Sequence, residues 1–192
     1  MVSMNIDNAI LSKWLSQERT ELILAIAQSI SNHVSLLNSQ GIDFYGYALL
    51  PGEPYDINSI VVAFNRESDI QVSSEHEEYR YYKYSVDEWS HWVYDGFDTV
   101  NKLLEEANAE FSSMHTKDEN NYLMDEYEIL HSDVLLEAVV RGLEIASHNG
   151  AFGTKNPFLV VWISDSDHKI INESVHRLNS QAVTRDFMAE FR

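Results

Sequence analysis

The spacing of apolar residues changes along this chain, and that change limits the folds it can form. From Leu22 to Leu37 apolar residues recur at helical intervals, and Gly41 stands just beyond them as a helix stop. Two runs rich in β-branched and aromatic residues follow, at 42–50 and 59–65. The loop between the two runs carries prolines and a glycine, which favour a turn. We therefore expect a long helix followed by a β-hairpin.

The next segment is dense in aromatic residues. The run YRYYKY, residues 79–84, alternates enough to predict a third strand. Ser85 followed three positions later by Glu88 matches a capping box, the pattern that opens many helices. Beyond it Trp89 and Trp92 begin an apolar stripe at helical spacing. We expect a helix from Ser85 onward, with both tryptophans anchored in the core.

The last third of the chain predicts two more helices around one strand. Apolar spacing indicates an amphipathic helix over 125–148. The run FLVVWIS, 158–164, is the most apolar stretch, so we expect a strand at the centre of the sheet. A C-terminal helix is predicted with its cap at Thr184. The pattern predicts one α+β domain over 1–192, with a mixed, mainly antiparallel sheet of about four strands packed against long amphipathic helices.

Charge is the most unusual property of the composition. The 192 residues carry 31 acidic and 13 basic side chains, a net charge of −18. The segment 67–128 holds 17 of the acids and four of the bases, so most of the excess lies there. Such a segment repels a phosphate backbone or an anionic membrane and attracts a basic protein. We expect a basic protein partner, no nucleic acid and no membrane.

Other chemistry is limited by what the composition lacks. There is no cysteine, which excludes disulfides, thiolate metal sites and cysteine nucleophiles. No apolar run approaches the roughly 18 residues needed to cross a bilayer. The first residues lack the pattern of a secretory signal. We therefore expect a cytoplasmic protein without a cofactor.

Two groups of residues are candidates for a functional site. The first is acidic and aromatic, and it favours an interface in which tyrosines anchor and carboxylates steer a basic partner; it consists of Glu75, Glu77, Glu78, Tyr79, Tyr81 and Tyr82. The second has the ligand types of a divalent cation and follows the apolar strand; it consists of Asp165, Asp167, Glu173 and His176, with His168 between them. Turn formation by the aspartates explains the second group equally well.

The order of several short motifs gives the chain a family resemblance. The motifs are YGYALL, VVAFN, VDEWSHW, NGAFG, LVVWISD and NESVHRLN. In this order they resemble domain-of-unknown-function family 4303, a set of small bacterial proteins, over Leu22 to Phe191. The resemblance implies no catalytic residues, because no activity is established for that family. It also implies a likeness in size and acidity to immunity proteins, which neutralise bacterial toxins.

These observations lead to three hypotheses about function. The first is a non-enzymatic protein-binding domain, such as a toxin-neutralising immunity protein, that covers a basic surface with Glu75, Glu77, Glu78 and the neighbouring tyrosines. The second is a small metal-dependent hydrolase that uses the residues between Asp165 and His176. The third is a regulatory scaffold domain.

Overall fold

A computed structural model describes residues 3–115 and 123–191 of the chain. Its helices and strands follow one another in this order: α1 Ser3–Leu15, α2 Thr20–Ser39, β1 Gly46–Glu53, β2 Asp56–Asn65, α3 Tyr79–Tyr84, β3 His91–Val93, α4 Asp98–Met114, α5 Glu126–His148, β4 Phe158–Val161, α6 Lys169–Leu178 and α7 Gln181–Met188. Short 3₁₀ turns lie at Glu67–Asp69 and Val86–Glu88. Within the described residues, no helix has the length and apolar character to cross a membrane.

The four strands form one mixed sheet in the order β3-β2-β1-β4. The hairpin β1–β2 is antiparallel with Tyr47 opposite Phe64, and β3 is antiparallel to β2. Only β4 is parallel, with Leu159 paired to Tyr47 of β1. The predicted α+β fold with a mixed, mainly antiparallel sheet of four strands and long helices is therefore confirmed.

The sheet is covered on both faces, as the burial of β1 shows. Every residue from Gly46 to Pro51 is buried, although successive side chains in a strand point to opposite faces. The helix α2 packs along α5, and their closest approach is at Gly142. A Cβ atom at Gly142 would lie 2.5 Å from Cγ2 of Ile26, so the two helices touch where a side chain is missing.

The predictions for α2 and α5 are confirmed. In α2 the residues that set the helical spacing, from Leu22 to Leu37, are buried. At the start of α5, Asp125 accepts hydrogen bonds from the backbone N–H groups of Tyr127 and Glu128. The carboxylate of Glu128 accepts in return from the N–H of Asp125, which completes a capping box.

The predicted third strand at 79–84 is wrong, because this segment forms the short helix α3. Near its end, the carbonyl oxygen of Lys83 accepts from two side chains rather than from a neighbouring strand. The Tyr45 hydroxyl and the Trp89 indole N–H both donate to the carbonyl of Lys83, at 2.9 and 3.1 Å. Burial of Tyr84 against Phe158 then holds the helix on the sheet. Tertiary contacts thus override the alternating pattern.

The helix predicted from Ser85 is also wrong at its start. Ser85 begins only the 3₁₀ turn Val86–Glu88, β3 comes next, and α4 starts at Asp98. Trp89 is buried as predicted, because its ring fills the space above Gly46, whereas Trp92 on β3 is only half-buried. The two tryptophans are spaced as in a helix, but Trp89 follows a 3₁₀ turn and Trp92 lies in a strand.

The strand β4 lies at an edge of the sheet and not at its centre as predicted. Two side chains of the α6 region take the place of a further strand beside it. Asn179 exchanges hydrogen bonds with the backbone N–H and carbonyl of Leu159. The Ser174 hydroxyl accepts from the N–H of Val161 and donates to the carbonyl of Ile171 in its own helix. This side-chain pairing, together with the cover from α6, explains why an edge strand is fully apolar.

The C-terminal helix α7 exists as predicted, but its cap is not Thr184. The N-cap is Ser180, whose hydroxyl accepts a hydrogen bond from the N–H of Val183. Thr184 lies inside the helix, is buried, and donates to the carbonyl of Val175.

Candidate functional site

The acidic segment in front of α3 is fully on the surface. Glu75, Glu77 and Glu78 are all exposed, and Glu78 is the residue that precedes the helix. The backbone turns around His76, whose Nδ1 accepts a hydrogen bond from the N–H of Glu78. Among the described residues, none of the ion pairs involves any of the three glutamates. Their carboxylates therefore remain available to an outside cation.

The cations nearest in sequence are already neutralised by other carboxylates. Arg80 forms an ion pair with Asp186 of α7, with a distance of 2.6 Å between Nε and Oδ1. The Lys83 ammonium lies 3.9 Å from a carboxylate oxygen of Glu67. Because both positive charges are paired inside the protein, the surface around the three glutamates keeps its negative potential.

Because α3 is a helix, its tyrosines point in different directions around the helix axis and are exposed to different extents. Tyr79 and Tyr82 are half-buried, Tyr81 is exposed by 37 %, and Tyr84 is buried. The hydroxyl of Tyr79 donates to Glu67, and that of Tyr81 donates to Glu88. Each hydroxyl is thus a protonated donor held by a carboxylate, and burial followed by the charge of Glu67 raises the pKa of Tyr79.

The second predicted group does not assemble as a metal site. Asp165, Asp167, Glu173 and His176 are each exposed. In the part of the chain that the structure describes, no three His, Asp or Glu side chains come together in a way that could hold a metal ion. Asp165 has a φ of 52°, a left-handed conformation that aspartate tolerates in tight turns, so this residue shapes the turn after β4.

Two polar residues near this group have structural roles. His168 is the N-cap of α6, and its Nδ1 accepts a hydrogen bond from the N–H of Ile170. Burial lowers the pKa of His168, which agrees with a neutral ring that accepts at Nδ1. Ser174 is completely buried and bonds to β4, so its hydroxyl is not presented to a substrate.

A cavity lies beside the second group, and Asp167 of that group lines it. It has a volume of about 330 Å³ and lies beyond the carboxyl end of β4. We call it the aromatic cavity; the residues that line it are Trp162, Ser166, Asp167, His168, Ile171, Asn172 and Phe191. Trp162, Ile171 and Phe191 supply its apolar surface, and the other lining residues, Asp167 among them, are polar.

Phe191 joins the aromatic cavity to the tyrosines of α3. Its ring stacks on Tyr81, with 6.2 Å between centroids, and meets Trp162 edge-on at 6.0 Å. The indole N–H of Trp162 donates to Oδ2 of Asp87, which is exposed beside Glu88. Tyr81 from the first predicted group and Asp167 from the second therefore border the same aromatic assembly.

The loop between β1 and β2 also contacts a ring that lines the aromatic cavity. Tyr55, which lies between β1 and β2 and is half exposed, meets the ring of His168 edge-on at 6.2 Å. The rings of Trp162, His168 and Phe191 line the cavity, and Tyr55 and Tyr81 contact two of these rings from outside its lining. Sequence reasoning missed the contributions of Trp162, Phe191 and Asp87, because each follows the pattern of an ordinary core or helix-surface residue.

Comparison with known families gave one match. A family model described as "Domain of unknown function (DUF4303)" matches residues 25–180. Neither the curated proteins nor the solved structures include a detectable match to the chain.

Proposed function

We propose a protein-binding function for this chain, which belongs to the DUF4303 family. The partner is a basic protein, and the binding surface is the segment of Glu75, Glu77 and Glu78 together with the tyrosines of α3. The specific form of the proposal is a cytoplasmic immunity protein that covers the basic surface of a toxin. The family description gives no activity, so the support comes from the surface itself.

The observation that carries the proposal is the set of three exposed glutamates without ion-pair partners among the described residues. They stand directly before half-buried aromatic residues, among them Tyr79 and Tyr82. Carboxylates at a rim increase the association rate with a positive partner, while partly exposed tyrosines supply contact area at low entropic cost. The surface thus has both the charges that steer a partner and the rings that anchor it.

The test reverses the charges of this surface and of a matched one. The first variant carries Glu75→Lys, Glu77→Lys and Glu78→Lys. The control carries Asp95→Lys, Glu105→Lys and Glu106→Lys, which makes the same change in net charge at exposed positions near the start of α4 and on α4 itself. Both are co-expressed with the proteins encoded next to this one, and complexes are isolated at about 50 mM and about 500 mM salt.

We expect the wild-type protein and the control to retain a basic neighbour at low salt. The Glu75, Glu77 and Glu78 variant is expected to bind it about tenfold less well or worse, because three attractive charges become repulsive. If that neighbour arrests growth when expressed alone, growth rescue by the wild-type protein only would support the immunity role. Equal binding by both variants would refute the assignment of this surface.

A further inference from the structure

We propose that the aromatic cavity is a binding site for an arginine side chain of the basic partner. This inference rests on the proposed protein-binding function and adds a specific contact to it. The site is separate from the Glu75–Glu78 segment, with Tyr81 as the residue adjacent to both. A side chain inserted at this point would add a second anchor to the contacts of the α3 tyrosines.

The size and walls of the cavity suit one long side chain. Its volume of about 330 Å³ is at the low end of the range of about 300–1,000 Å³ for ligand pockets. Trp162 and Ile171 line it and are buried, and Phe191 lines it as a half-buried residue. A flat guanidinium group stacks well on such rings, and its aliphatic stem packs against Ile171.

The charges around the cavity favour a cation. Asp167 lines it, and Asp87 reaches Trp162 with Oδ2, while its Oδ1 has no hydrogen bond among the described residues. Glu88 is exposed next to Asp87 in the chain. The basic residue closest in sequence to the cavity lining, Lys169, is already paired with Asp133 at 2.8 Å. Among the described residues, none of the ion pairs involves Asp87, Glu88 or Asp167, so these carboxylates remain available to a cation.

An anion is a poorer fit despite the nearby start of α6. The first turn of a helix attracts anions through its free N–H groups. Here the N–H of Ile170 is already bonded to the His168 ring and the N–H of Ile171 to the His168 carbonyl. The carboxylate of Asp167, the residue before His168, would repel an anion. Arginine fits better than lysine because a planar group both stacks and binds carboxylates with two N–H groups.

The experiment uses the complete chain and a short peptide instead of the unknown partner. The probe is a glycine–serine peptide with a single arginine at its centre. Otherwise identical peptides carry citrulline, which has nearly the same shape without the charge, or lysine. Binding is followed by NMR at the indole N–H of Trp162, which is assigned with the Trp162→Phe variant.

We expect the Trp162 signal to shift saturably with the arginine peptide, and about fivefold more weakly with the other two. The double variant Asp87→Asn, Asp167→Asn should lower the affinity for the arginine peptide about fivefold. Both positions are exposed, and asparagine can still accept from the Trp162 indole, so the fold is retained. The control Asp95→Asn, Glu105→Gln makes the same charge change elsewhere and should bind like the wild type.

The two proposals fail in different ways. Unchanged affinity in the Asp87, Asp167 variant, or equal binding of the citrulline or lysine peptide, would overturn the arginine site and leave the Glu75–Glu78 surface standing. The variant Glu75→Gln, Glu77→Gln, Glu78→Gln should bind the arginine peptide within about twofold of wild type. None of the three glutamates lines the cavity, and salt screens the effect of such exposed charges. A larger loss in that variant would overturn the separation of the two sites.

Discussion

Lowering the pH should destabilise this protein through one buried histidine, His131 of α5. The residue is 6 % exposed, and its ring stacks on Phe111 with 4.2 Å between centroids. Its Nε2 lies 2.8 Å from Oδ1 of Asn108, while the amide of Asn108 donates to the carbonyl of Ile57. Nε2 therefore carries the proton, and the buried Nδ1 has no partner among the described residues.

A second proton on this ring would be costly. Burial, and after it the positive charge of Arg19, lowers the pKa of His131 to about 4. Arg19 itself lies over the Trp14 ring, which also touches His131. The carboxylate of Glu110, which accepts from the Trp14 indole N–H, interacts with the charge of Arg19. Protonation would thus add a buried charge beside an arginine.

The direction and size of the effect follow from linkage. In the unfolded chain the pKa of His131 returns to the ordinary histidine value of about 6.5, so between about pH 6.5 and about pH 4 the unfolded state binds more protons than the folded state. The stabilisation is fully present above about pH 6.5 and is lost as the pH falls toward 4. Between about pH 7.5 and about pH 5 the loss from this one residue is about 2 kcal/mol. That is a large part of the 5–15 kcal/mol typical of a domain.

The assay measures the free energy of unfolding in urea at both pH values. The variant His131→Gln keeps an N–H donor for Asn108 but cannot titrate, and it should lose about 2 kcal/mol less than the wild type on acidification. His148→Gln changes an exposed histidine of the same helix and should behave like the wild type. Burial also lowers the pKa of His33. His33 is present in the wild type and in both variants, so its contribution cancels when their losses of stability are compared.

Two results would refute this reasoning. One is an equal loss of stability on acidification in the wild type and in His131→Gln. The other is an NMR titration of the wild-type ring with a pKa above about 6, because the ring would then not be held neutral by burial.

Two further predictions concern the packing of the fold. Gly142→Ala should reduce the free energy of unfolding, measured in urea, by about 1–3 kcal/mol, because its Cβ would meet Ile26 at 2.5 Å. This loss is expected although alanine favours helices more than glycine does. An increase in stability would contradict the close contact of α2 and α5. Asn179→Ala should cost about 2 kcal/mol or more by leaving the N–H and carbonyl of Leu159 without partners. Asn179→Asp, which accepts but does not donate, should fall between the two, and equal stability of all three would contradict the pairing at β4.

The sequence predicted those elements whose signals are local. The helix α5 was predicted from its apolar spacing, and its acidic cap at Asp125 lies only three residues from Glu128. The strand β4 was recognised from composition, but its place at the edge was not. An apolar composition indicates that a strand is buried but not which elements bury it. Here Ser174 and Asn179 of the α6 region pair with the free side of β4. The sequence of the strand itself carries no sign of these partners.

The segment from Tyr79 to Trp92 shows the opposite case. Its alternating aromatic residues and its Ser85–Glu88 pattern are local signals, and both pointed to the wrong element. The decisive contacts are with distant residues: Tyr45 holds the end of α3, and Trp89 lies over Gly46. In a short segment such tertiary contacts outweigh the local preference of the sequence.

The candidate site was predictable in its parts and not as a whole. The sequence indicated that Tyr81 belongs to a binding surface and that Asp167 belongs to a polar turn after a strand. Phe191 links them, because it lines the same cavity as Asp167 and stacks on Tyr81. These residues are far apart along the chain, so only the fold makes them neighbours.

The same limit applies to charge. A net charge of −18 counts carboxylates but does not locate those that remain free. Many of the basic side chains are used inside the molecule, in the pairs Arg66–Asp69, Arg80–Asp186, Lys83–Glu67, Lys102–Glu106, Lys155–Asp43, Lys169–Asp133 and Arg177–Glu137. What a partner meets is the remainder, and near α3 that remainder includes Glu75, Glu77 and Glu78. The electrostatic contribution to binding is therefore decided by which acids the fold leaves without a cation, and charge reversal at those positions measures it directly.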